Sequence, residues 1–121
     1  KKAKKRTKKK VSRARRSYNV YVIELDKAVL QHHAFMKRNP DYIDDKDCFY
    51  VGQTAKTPEE RFEIHKRGGM HANNYVEKYG KCLRSRKYEK YNPIMTREVA
   101  ELVEKYLANK LQGEGYGIWS N

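Results

Sequence analysis

The sequence predicts a small α/β domain, a short three-stranded sheet of mixed or antiparallel pairing with helices packed on it. Two runs rich in β-branched and aromatic residues, NVYVIEL at 19–25 and CFYVGQT at 48–54, read as strands, and a third short strand is expected around Leu83. Helical stretches lie between and after these runs, so the order is strand, helical insert, strand, two helices, strand, helix, which is a sheet covered by helices. The 121 residues suit one domain, and no internal repeat divides them.

Each element has a local reason. NVYVIEL is almost continuously apolar, which leaves open which of its faces is buried. Residues 26–47 begin with a helical stretch, KAVLQHHAFMKRN, stop at Pro40 and end in the polar loop DYIDDKD. In TPEE, Thr57 is the N-cap, Pro58 takes the first helical position and Glu60 closes a capping box. That helix is expected to end at the Gly68-Gly69 pair. NNYVEKY is a short helix stopped by Gly80, and the segment after Leu83 turns near Pro93. Thr96 caps a longer helix running to about Gln112, Gly113 ends it, and YGIW is a short apolar return.

Charge is distributed unevenly. Of the 28 Lys and Arg residues, 11 fall in KKAKKRTKKKVSRARR, residues 1–16, which holds no acid. The other residues carry 17 basic groups against 15 acidic ones, so the excess charge belongs to the tail. With little apolar surface to bury, residues 1–17 are expected to be disordered alone, and residues 18–121 to form the domain. Lys4, Lys5, Arg6, Lys8, Lys9, Lys10, Arg13, Arg15 and Arg16 are the candidate phosphate contacts. DNA is the expected partner, with RNA the other polyanion of the same chemistry; no obligate protein partner is indicated. No apolar run reaches the roughly 18 residues of a membrane span, and an intracellular, cytoplasmic or nucleoid-associated protein is expected. Cys48 and Cys82 fit neither a zinc ribbon nor a disulfide framework and read as reduced thiols. His32, His33, His65 and His71 have no zinc-site spacing and read as surface residues on that count.

Some polar residues point inward. On the helix from Pro58, Phe62 and Ile64 lie roughly 160° apart with Arg61 and His65 between them, so contact of both apolar residues with the core turns Arg61 and His65 toward the protein. On the last helix Val99, Leu102, Val103, Tyr106, Leu107 and Leu111 form a broad apolar stripe, with Glu104 at its border. A partly buried carboxylate needs a basic partner, a proton or a metal. Tyr21 and Tyr50 sit in mid-strand, and antiparallel pairing places both hydroxyls on one face. Tyr88 and Tyr91, interleaved with cations, are candidate base-stacking residues. Two phenols, an arginine, a histidine and a carboxylate are the parts of a phosphodiester-hydrolysing site.

These motifs together resemble the GIY-YIG nuclease family, small stand-alone bacterial members in particular. Asn19-Val20-Tyr21 and Tyr50-Val51-Gly52 stand for the two signature strands, followed by Gln53-Thr54, the RFEIH helix with Arg61 and His65, and ELVEKYLANKL with Glu104. The terminal GY-x-x-W pattern is also present, and the likeness spans residues 19–121. Asn19 and Val20 replace the family's Gly and Ile, and residues 26–47 are longer than the usual link. Many members carry an asparagine after the glutamate helix, for which Asn121 is the candidate here. The resemblance implies a GIY-YIG endonuclease-like fold and a metal-dependent DNA endonuclease. Glu104 would hold one Mg²⁺ or Mn²⁺, Arg61 would stabilise phosphorane charge, Tyr21 or Tyr50 would orient or deprotonate water, and His65 would relay a proton. The other reading is a DNA- or RNA-binding module that keeps the fold without catalysis.

Overall fold

The structure, a computed structural model, describes residues 17–121, so the basic tail and its candidate phosphate contacts lie outside the described residues. Strands β1 (Asn19–Leu25), β2 (Cys48–Thr54), β3 (Gly80–Leu83) and β4 (Gly117–Ser120) form one sheet in the order β3-β1-β2-β4. β1 is antiparallel to β2 and β3, while β4 runs parallel to β2. The α/β class and the mixed sheet flanked by helices are as expected; the strand count is corrected from three to four. The YGIW return is the extra strand, and only its pairing makes it one, Phe49 opposite Ile118 and Tyr50 opposite Trp119. A four-residue segment preceded by glycines has too little periodicity to declare this locally.

Val20, Tyr21, Val22 and Ile23 are each at most 1% exposed, so successive side chains of β1 are buried on both faces. That is why its apolarity is continuous.

The insert departs from the expected single helix. Asp26 caps a 3-10 turn at Lys27–Gln31, His32 is extended, and α1 (His33–Arg38) starts anew. Contrary to its reading as a surface residue, His32 is half-buried, with its ring against Tyr75 and Tyr79 and its Nε2 2.6 Å from the Tyr79 hydroxyl. Beyond α1 the buried Asn39 donates from Nδ2 to the Ile118 carbonyl at 3.0 Å and accepts from the Ile118 N–H at 2.8 Å. One side-chain amide thereby satisfies both outward backbone groups of an edge strand. Asn92 likewise pairs both backbone groups of Val20, at the end of the interior strand β1 that β3 does not reach, with both bonds at 2.8 Å. Asn39→Ala is expected to lower stability by about 2 kcal/mol, the cost of leaving buried backbone groups unpaired. Urea denaturation would show it as a reduced midpoint.

α2 (Pro58–Arg67) carries the expected capping box. Next come α3 (Asn74–Tyr79) and α4 (Arg97–Gly113). The apolar stripe expected for α4 needs correction. Its buried residues are Ala100, Leu107, Ala108 and Leu111, with Val103 and Glu104 half-buried. Val99, Leu102 and Tyr106 face outward, 46%, 67% and 55% exposed. Ala100 and Ala108 lie on the inward face, and a pattern weighted by large apolar side chains passes over such small residues. Tyr88 is buried and Tyr91 half-buried against Tyr106, so Tyr88 is a core residue with no face free for a base. Among the described residues, no helix is long and apolar enough to cross a membrane.

Candidate active site

Tyr21 lies opposite Gly52 and Ile23 opposite Tyr50, so the two tyrosines are diagonal neighbours on one face. Their ring centroids are 6.1 Å apart. Gly52 is required by the Tyr21 ring: a Cβ built there would stand 2.6 Å from the hydroxyl oxygen and 2.7 Å from Cζ. Gly52→Ala is therefore expected to push Tyr21 off its bonding partner and to cost about 1–3 kcal/mol by overpacking. A lowered melting temperature and a changed near-ultraviolet tyrosine signal would report it.

That partner is His65, the one buried residue of α2. Its Nε2 is 3.0 Å from the Tyr21 hydroxyl, and its Nδ1 accepts the Asn73 backbone N–H at 3.0 Å. Because Nδ1 accepts, the neutral ring carries its hydrogen on Nε2 and donates it to Tyr21. Burial, reinforced by the Arg61 guanidinium, lowers the His65 pKa to about 4. The ring is therefore neutral at physiological pH, with both nitrogens engaged, and is not the surface residue that histidine spacing implied. Asn73 docks α3 on this ring while its own side chain caps that helix through the Tyr75 and Val76 N–H groups.

Arg61 points inward as expected and is half-buried, and its Nη2 donates to the His71 carbonyl at 3.0 Å. Among the described residues it takes part in no ion pair. Glu104 likewise has no basic partner among them. Burial, with the neighbouring charge of Glu101, raises its carboxyl to about 7. Burial also pushes the Tyr21 phenol far above its ordinary range, Tyr50 adding to this and Arg61 opposing it. Tyr50 is raised as well, by burial and then by Glu104.

Tyr21, Tyr50, Arg61 and Glu104 all line one cavity of about 550 Å³ between the sheet and α4. Four of the five expected site residues thus converge, and the fifth, His65, stands behind Tyr21. Asn121 also lines the cavity and donates from Nδ2 to the Tyr50 hydroxyl at 2.9 Å. Gln53, Glu101, Lys105 and Asn109 complete much of the wall and were not singled out by the sequence. Glu101 and Asn109 sit three residues before and five after Glu104, a signal too common on helices to mark a site. A second cavity of about 530 Å³ shares Arg61 and is lined by Lys56, Ile64 and His71.

Two carboxylates, Glu104 and its neighbour Glu101, are a thin donor set for a metal, and no group of three or more His, Cys, Asp or Glu residues suited to hold one occurs among the described residues. They nevertheless fit Mg²⁺, which keeps most of its waters and is commonly held by one or two carboxylates plus substrate phosphates. The chain matches no protein-family model, no curated protein and no solved structure.

Proposed function

We propose that the chain is a metal-dependent endonuclease of the GIY-YIG kind, hydrolysing phosphodiester bonds in DNA. The observation that supports this best is the convergence on one cavity of two phenols with an arginine and a carboxylate that are in no ion pair among the described residues. Mg²⁺ or Mn²⁺ at Glu104 would neutralise a non-bridging phosphate oxygen and acidify the attacking water. Arg61 is placed to stabilise the charge that develops on the pentacoordinate phosphorus. Tyr21 and Tyr50 orient the water as neutral hydroxyls, since burial disfavours either phenolate. His65 is a positioning residue: it donates to Tyr21 and, with Nδ1 occupied, has no free acceptor for a relayed proton. The second cavity gives the strand a continuation past Arg61 beside Lys56 and His71. Residues 1–16 add sequence-independent affinity through their cations.

Asn19 and Val20 in place of the signature Gly and Ile, with the basic residues 1–16, favour one second reading, a nucleic-acid-binding module without catalysis. Incubating supercoiled plasmid with the chain and Mg²⁺ or Mn²⁺ separates the two. Nicking that is lost in Arg61→Ala supports the enzyme; salt-sensitive binding without cleavage in either metal supports the module.

A further inference from the structure

The outward face of α4 carries a feature the proposed chemistry does not use. Val99, Leu102 and Tyr106 are 46%, 67% and 55% exposed, and Met95, just before the N-cap Thr96, is 70% exposed. On the helix the spacing of three and four residues is that of successive a, d and a positions of a heptad repeat, a seam that seats a second helix. The seam lies roughly opposite Glu104 around the helix, so an occupant leaves Glu104 uncovered, with Lys105 standing between the seam and the cavity it also lines.

The flanking charges select the occupant. With Val99 and Tyr106 at a and Leu102 at d, the g positions are Glu98 and Lys105 and the e positions include Val103 and Lys110. Antiparallel helices bring g against g, so Glu98 of one copy meets Lys105 of the other, and two-fold symmetry makes this pair twice. The same register stacks Val99 on Leu102 of the second copy, twice by symmetry. A parallel pair would instead set Lys105 against Lys110, like charge against like. Among the described residues neither Glu98 nor Lys105 is in an ion pair, whereas Lys110 is held by Glu114 at 2.8 Å. The g flank of the seam is therefore complementary to a copy of itself in one orientation.

We propose that this face is a homodimer interface in which two α4 helices pack antiparallel about a two-fold axis near Val99 and Leu102. A seam of three helical side chains per copy is short, and the expected dissociation constant is on the order of micromolar or weaker.

Sedimentation equilibrium of the 121-residue chain over a concentration series tests this directly. The expected result is a monomer–dimer equilibrium that Leu102→Glu weakens about 100-fold or more, because the change enters the interface twice. Leu102 is exposed, so the variant is expected to keep the wild-type circular dichroism spectrum. Glu98→Lys, which removes no apolar contact, is expected to weaken the dimer about tenfold, and adding Lys105→Glu to restore it. A monomer at every concentration up to the millimolar range would overturn the proposal, as would a dimer indifferent to Leu102→Glu. A dimer that Glu98→Lys strengthens would overturn the antiparallel register.

Discussion

Replacing Glu104 with glutamine is expected to remove cleavage and stabilise the fold in the same molecule. Without a carboxylate to hold the ion, Mg²⁺-dependent nicking should fall by about 10²-fold or more, comparable with losing one strong transition-state interaction. Stability should move the other way. The folded-state pKa of Glu104 is raised to about 7, above the roughly 4.3 of an unfolded glutamate, so the folded chain binds more protons between those values. Its contribution is fully present below the unfolded pKa and is lost as pH rises through about 7. Glu104→Gln should therefore match the wild type near pH 4 and melt at a higher temperature near pH 8. The pKa also governs loading: protons compete with the ion, and apparent Mn²⁺ affinity should rise with pH up to about 7 and then level off. Melting curves and metal titrations at three pH values check all of this.

His65→Ala is expected to be the most damaging single change to the fold outside the strands. It empties a fully buried site and leaves the Asn73 N–H without its acceptor and Tyr21 without its donor. A loss of about 3 kcal/mol combines the cavity with the unpaired groups. His65→Gln carries an acceptor and a donor in one side chain and should recover part of that loss. If His65 acts by holding Tyr21, cleavage in the glutamine variant should follow the recovered stability rather than vanish. The pH dependence has the opposite sign from that of Glu104. The folded pKa of His65 lies near 4, below the roughly 6.5 of an unfolded histidine. Its stability is present above the unfolded value and lost as pH falls toward 4, so His65→Gln should remove that acid-side slope. Chemical denaturation between pH 7 and 4 measures it.

Much of this architecture was legible in the residues. The capping box of Thr57 and Glu60 fixed the start of α2, and its phase brought Arg61 and His65 inward as expected. The mid-strand positions of Tyr21 and Tyr50 predicted one shared face, which the antiparallel register provides. What stayed hidden depends on long-range partners. β4 exists because β2 is beside it, Asn39 matters because Ile118 is 79 positions away, and Asn73 matters because its N–H meets His65. None of these leaves a periodic trace. Half of the α4 stripe was misplaced for a different reason: Val99, Leu102 and Tyr106 are as apolar as a core face, yet the body of the protein packs on Leu107, Leu111 and two alanines.

The most direct test of the central claim, that Arg61 and Glu104 serve one phosphodiester-hydrolysing cavity, is single-turnover nicking of plasmid in Mg²⁺ by wild type, Arg61→Ala, Glu104→Gln and the double variant. Each single change should cost about 10²-fold or more, and the double little beyond the worse of the two, because residues that act as a unit are not additive. Wild-type chain that binds plasmid but never nicks it, or single variants that nick at the wild-type rate, would contradict the account.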